Sequence, residues 1–238
     1  MSTPKNRLDE QTIAMRVAKE FEDGMYVNLG GGIPTLACNF VAEGREVIFH
    51  TENGGLGYGR IATTEEAEWD MFNASFQPVI YAPGMSFFSH DEAFDMIRGG
   101  HIDLSVLGAM QVSEKGDLAN WAIGNMADYN GDVVAWIRTG RFPPGIGGAM
   151  DLAVGAKKVI VAMTHTTRDG SPKVVRECTF EITAPRCVSL IVTDMAVIEV
   201  TPEGLLLKEV APGLTPDDVQ AETEPKLLIA DDLKEIEL

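Results

Sequence analysis

Five short runs rich in Val, Ile and Leu constrain this chain more than any other feature: MYVNL, EVIFH, DLSVLGAMQV, KKVIVAM and SLIVTDMAVIEV. Runs without polar alternation need cover on both faces, which a parallel sheet obtains from its crossover helices. In MYVNLGGGIPTLACNFV the apolar run meets three glycines at 30–32, then Pro34 near a helix start and a helical pattern through Phe40 and Val41. This order predicts strand, glycine turn, helix. The same order is expected where EVIFH runs into TENGGLGYG. An α/β fold follows, with a mostly parallel sheet flanked by helices.

The helices that would cover such a sheet are legible. Ile13, Val17 and Phe21 recur at i, i+4, i+8 and Gly24 closes the segment, as in an amphipathic opening helix. DEAFDMIRGG follows Ser89 as a cap, GGAMDLAVGAK follows the Pro143-Pro144 stop, and TPDDVQAET has Thr215 as cap with Pro216 at the first position. No repeat or low-complexity linker divides the 238 residues, 45% of them hydrophobic, so a single domain over residues 1–238 is expected. The least patterned segment, residues 125–144, reads as an excursion over the surface.

Charge narrows the partners. With 36 acidic against 19 basic residues and a formal charge of −17, the chain has no basic run to neutralise phosphates, which argues against nucleic acid. The N-terminal stretch lacks the basic and apolar regions of a signal peptide, and no apolar run approaches ~20 residues. A soluble, cytoplasmic protein without membrane association is expected. Cys38, Cys178 and Cys187 have neither a CxxC spacing nor an even count, so they read as reduced thiols rather than as a zinc site or disulfide framework.

Chemistry has few places to reside. Three glycine turns, at 30–32, 54–59 and 145–148, either present backbone N–H groups to an anion or simply make tight turns; none spells a nucleotide-binding motif. In an open parallel sheet, ligands sit beyond the carboxyl ends of the strands, and both Asn28 and Glu52 fall near such ends. A loop glutamate is more often a solvated acid or a cap, so the position alone leaves both readings open. His50, His90, His101 and His165 show no metal-ligand spacing and read as structural, and PGMSFF around Ser86 lacks the second glycine of a nucleophile elbow. If Glu52 is catalytic, it works without a histidine base. A carboxylate can itself be a nucleophile where the electrophile is activated and the oxyanion is met by fixed donors, as in exchange of a thioester between carboxylates.

Several segments together resemble one family. GMYVNLGGGIPTL, TENGGLGYG, APGMSFFSHDEAFDMIRGGHIDLSVLGAMQV, GDLANW, GIGGAMDLAVGAKKVIVAM and VTDMAVIEV are similar to the β subunit of class I CoA-transferases, the 3-oxoacid CoA-transferase group. The resemblance implies an α/β fold of the NagB/RpiA/CoA-transferase type. It also implies an enzyme that moves CoA between an acyl-CoA, such as succinyl-CoA, and a 3-oxo or related carboxylic acid. Glu52 would be the nucleophile that becomes linked to CoA, Asn28 and Gly148 would line the site, and Gly147 with its neighbouring backbone would approach the CoA portion. The resemblance further implies no metal or prosthetic group, CoA as a substrate, and a separate α chain in an α2β2 assembly.

Three departures from the family pattern stand out. GGG replaces GIG, GGLGYG replaces ILGMG or LLGMG, and the segment between GDLANW and GGAMDL is longer. The first two either widen the acyl pocket or record local repacking. The third, with Tyr129, Trp136, Arg138 and Arg141, either lines the acceptor entrance or is an ordinary insertion. Two rival functions share the resemblance: an acyl-CoA hydrolase or C–C-cleaving relative, and a non-catalytic chain that stabilises a partner. The retained Glu52 counts against the latter.

Overall fold

The computed structural model describes residues 7–122 and 145–237. The segment 125–144, with Tyr129, Trp136, Arg138 and Arg141, and the Pro143-Pro144 stop lie outside the described residues.

Ten strands form one sheet. The strands are β1 (Tyr26–Leu29), β2 (Ile48–Thr51), β3 (Gly55–Tyr58), β4 (Ser86–Phe87), β5 (Leu104–Leu107), β8 (Lys158–Met163), β10 (Val188–Thr193), β11 (Ala196–Thr201), β12 (Gly204–Val210) and β13 (Leu228–Glu235). Their order is β13-β12-β11-β10-β8-β5-β1-β2-β3-β4. The five central strands, β2, β1, β5, β8 and β10, are mutually parallel. Antiparallel pairs extend them on both sides. A second, three-stranded sheet joins β6 (Gln111–Ser113), β7 (Leu118–Ala119) and β9 (Val174–Val175).

The central strands are those the apolar runs predict, and three segments depart from expectation. TENGGLGYG forms no helix: residues 52–54 turn the chain so that β3 pairs antiparallel with β2, Thr51 opposite Gly55. Asn-Gly followed by alternating residues is a hairpin signal, and Gly54 adopts φ +108°, which other residues rarely accept. SLIVTDMAVIEV is likewise two antiparallel strands, β10 and β11. Thr193 Oγ1 accepts from Met195 N and Ala196 N and folds the chain back between them. DLSVLGAMQV is also divided, its first half in the large sheet and its second in the small one.

Helices cover both faces. On one face α1 (Glu10–Ala18) and the short α2 (Ile33–Leu36) pack Ile13, Val17 and the following Phe21 against Val27, Leu29, Phe49, Val106 and Ile160. α1 stops at Ala18, short of the expected length, yet Phe21 is fully buried. The Arg16 guanidinium forks onto Glu209 of β12 at 2.7 and 3.0 Å and fixes α1 to the sheet. On the other face α3 (His90–Arg98) and α4 (Ala149–Gly155) pack Ile97 and Leu152 over Val159 and Val161. Ser89 caps α3 with a reciprocal Glu92 bond, and Thr215 does the same with Asp218 for α5 (Pro216–Ala221). Cys38, Cys178 and Cys187 are unpaired, and burial pushes each thiol up to about 11.

Candidate active site

The two strand ends singled out by sequence are neighbours. β1 and β2 are parallel and in register, with Asn28 opposite His50, so both side chains point to the same face. That face is the α3–α4 side, because Val27, Leu29 and Phe49 occupy the core beneath α1. Glu52 follows His50 by two residues, at the half-buried start of the hairpin turn.

Asn28 Nδ2 lies 3.4 Å from Glu52 Oε2, and it also faces His50 Nδ1 at 3.0 Å and the His50 carbonyl at 3.3 Å. Gly148, at the start of α4, closes the other side: a Cβ there would stand 3.1 Å from Glu52 Oε1 and 3.0 Å from Phe94 Cζ. The fold therefore brings Asn28, Glu52 and Gly148 together. Gly147 takes φ +54° and a Cβ there would meet nothing within 4 Å, so its backbone lies open beside them.

The turn bearing Glu52 is held from several directions. His90 Nδ1 donates to the Glu52 carbonyl oxygen at 2.7 Å, and the His90 ring packs on Phe94. Ala74 N donates to Thr51 Oγ1 and Asn53 Nδ2 donates to the Phe72 carbonyl, both at 2.8 Å. Gly54 lies so close to the Phe88 backbone that any Cβ would collide with the Phe88 carbonyl oxygen. Sequence reading missed this support. The signal present was spacing: His50 and Glu52 are two apart, as same-face neighbours of an extended strand are.

Four histidines divide into different roles. His50 is fully buried, and burial lowers its pKa to about 4, against a smaller opposing effect of the Ala93 carbonyl. His165 is buried far from the turn between Thr193 and Thr223 hydroxyls, and burial lowers it to about 4 as well. His101 is exposed. None of them hydrogen-bonds the Glu52 carboxylate among the described residues, so no imidazole is set to act on it as a base. No group of three or more His, Cys, Asp or Glu is arranged to hold a metal among the described residues.

The glycine turns are less free as donors than their sequences suggest. Gly30 N–H bonds the Val106 carbonyl and Gly54 N–H the Thr51 carbonyl. Gly31, where GGG departs from GIG, has Ser75 Oγ 3.1 Å from its Cβ position, so the glycine makes room for Ser75. Tyr58 is buried against Phe49, with rings 5.4 Å apart, and fills core space. A hollow of about 940 Å³ lies beyond the ends of β1, β5 and β8, lined by Gly31, Gly108, Thr164 and Lys173 among others. Glu52 is not on its wall, so the chemistry is placed by the side-chain cluster and not by this hollow.

Known proteins share this arrangement of sequence and fold. A family model described as coenzyme A transferase matches residues 10–222. The chain is 45% identical over 218 residues to the B component of the 3-oxoadipate CoA-transferase of Pseudomonas putida, covering 92% of this chain and 95% of that one. It is 42% identical over 224 residues to the beta subunit of the acetate CoA-transferase of Escherichia coli, covering 94% and 95%. Against the human mitochondrial succinyl-CoA:3-ketoacid coenzyme A transferase 2 it is 45% identical over 224 residues, but these span 40% of the longer protein. Among solved structures, an acyl-CoA transferase apoenzyme from Escherichia coli O157:H7 superposes with a TM-score of 0.71 at 21% identity, over 100% of this chain and 44% of that one. The shared fold extends to that enzyme's thioester complex with CoA, at a TM-score of 0.69 and 22% identity.

Proposed function

The chain belongs to the coenzyme A transferase family, and from that premise we propose that it is the β subunit of a CoA-transferase moving CoA between an acyl-CoA, such as succinyl-CoA, and a 3-oxo or related carboxylic acid. The observation that carries the reading is the convergence of Asn28, Glu52 and Gly148 from three separate segments onto one carboxylate.

Glu52 attacks the acyl-CoA carbonyl, forming a mixed anhydride and releasing CoA thiolate. The thiolate then attacks the Glu52 carbonyl of the anhydride, giving a glutamyl-CoA thioester and freeing the donor acid. An acceptor carboxylate reverses the two steps, so the reaction is ping-pong. At each attack on the Glu52 carbonyl, negative charge grows on a Glu52 oxygen, and the Asn28 amide is the donor placed to meet it. Gly148 keeps side-chain bulk away from that oxygen. The open backbone at Gly147 is where the CoA portion approaches, and binding of the CoA arm helps offset the cost of the anhydride. CoA is a substrate, and the scheme uses no metal or prosthetic group.

The chain is read as a single domain that works with a separate α chain in an α2β2 assembly. The relatives named as a B component and a beta subunit support a partner, as does the human relative, in which the matching region is 40% of one longer chain. No helix among the described residues is long and apolar enough to cross a membrane. A cytoplasmic location is proposed from the sequence.

The test is made on the chain purified with its α partner. Incubated with acyl-CoA and no acceptor, it should gain the mass of CoA less one water, and Glu52→Ala should not. Activity that survives Glu52→Ala with no adduct under any acyl-CoA would overturn the covalent scheme. Discharge of the adduct by an added carboxylic acid marks a transferase, whereas equally fast discharge by water marks a hydrolase.

A further inference from the structure

We infer that His50 is a positioning residue that fixes the orientation of the Asn28 carboxamide and thereby aims its N–H at Glu52. The inference rests on the proposed nucleophilic role of Glu52.

Three acceptors surround Asn28 Nδ2: His50 Nδ1 at 3.0 Å, the His50 carbonyl at 3.3 Å and Glu52 Oε2 at 3.4 Å. At the other end, Asn28 Oδ1 is buried and has no hydrogen-bond partner among the described residues. Among the described residues, the groups that select between the two orientations of the amide are at the nitrogen end. Rotated by half a turn, the amide would aim its oxygen at a bare imidazole nitrogen, a carbonyl and a carboxylate, all acceptors. Two of those three groups belong to His50.

This selection demands one state of the ring. To accept from an amide, Nδ1 must be bare, so the proton of a neutral imidazole resides on Nε2. Nε2 is buried and makes no hydrogen bond of normal geometry among the described residues, and the Ala93 carbonyl that acts on the ring is an acceptor, which favours a proton there and does not compete with the choice made at Nδ1. A proton on Nδ1, in either the other tautomer or the cation, would favour the turned amide. Full burial of His50 keeps the cation away at neutral pH. The ring is itself held in place, stacked 6.2 Å from Phe88 and pinned by the pairing of β2 with β1. The Asn28–Glu52 contact, at 3.4 Å, is long for a charge-assisted bond and is free to shorten as charge grows on the Glu52 oxygen. An amide already facing that oxygen needs no reorganisation at that moment.

Two substitutions of His50 separate orientation from bulk in the enzyme assembled with its α chain. His50→Asn retains an acceptor where Nδ1 stands, and His50→Gln moves its carboxamide to the Nε2 end. The expected result is kcat within about threefold of the parent for His50→Asn, and a fall of about 10- to 100-fold for His50→Gln with KM for acyl-CoA little changed. On an Asn28→Ala background, His50→Gln should cost nothing further. Equal kcat for the two variants, or an undiminished cost on that background, would overturn the assignment. Imidazole 15N NMR of the unsubstituted enzyme provides a readout independent of the reaction: a bare Nδ1 is expected, and a protonated Nδ1 sinks the inference. Loss of the Glu52 adduct would instead sink the nucleophile reading and leave the tautomer result standing.

Discussion

A methyl group at Gly148 would stand 3.1 Å from Glu52 Oε1 and 3.0 Å from Phe94 Cζ. Glycine there is required by the carboxylate, not by the backbone, because Gly148 takes φ −86°, open to any residue. Gly148→Ala should therefore fold normally while displacing Glu52. Formation of the CoA adduct should slow by about 100-fold, the scale of losing a fixed donor at a reacting oxygen, with Tm moving by no more than a few degrees. An unchanged adduct rate would show that Glu52 works from another position.

Gly54 makes the opposite demand. Its φ of +108° and its contact with the Phe88 carbonyl leave no space for a side chain against rigid backbone. Gly54→Ala should destabilise by about 1–3 kcal/mol from the dihedral alone, and by more if the Phe88 backbone must move. Urea unfolding measures it. A loss below that range would mean that the hairpin relaxes readily, and the tight placement of Glu52 would then need another cause.

Asn28→Asp changes little in shape and places a second carboxylate about where the amide stands, 3.4 Å from Glu52 Oε2. Two carboxylates this close do not both ionise easily, so one retains a proton to higher pH. Sharing that proton weakens the nucleophile. Adduct formation should fall more steeply toward acid pH in Asn28→Asp than in the parent. Parallel profiles for the two proteins would remove Asn28 from the site.

His50 and His165 are both buried neutral, with pKa values lowered from 6.5 to about 4. The sign of the linkage follows. Between pH 6.5 and about 4 the unfolded chain binds protons at these positions that the folded chain does not, so stability is full above 6.5 and falls as pH drops through that window. At pH 5 unfolding should take up about two protons through these two residues, read from the slope of unfolding free energy against pH. His165→Gln, which retains hydrogen-bonding capacity toward Thr193 and Thr223 but cannot titrate, should remove about half of that slope. A slope untouched by this substitution would mean that His165 protonates in the folded state.

Much of this was legible in the chain itself. The parallel strands showed as runs of Val, Ile and Leu, the caps Ser89 and Thr215 as hydroxyls three residues before an acid, and Asn28 and Glu52 as polar residues at strand ends. These are local signals, set by propensity and by periods of a few residues. TENGGLGYG misled because glycines that open a turn before a helix also open a hairpin, and which forms depends on whether an edge is available for β3 to pair with.

What only the tertiary structure decided is which residues touch. Asn28 meets His50 because β1 and β2 align with them opposite, and a shift of one residue would have turned one of them to the other face. Gly148 reaches Glu52 because α4 packs beside α3 on that same face. His50 therefore looked like any core histidine in sequence. Its partner is chosen by strand register, a relation between distant segments that no local pattern encodes.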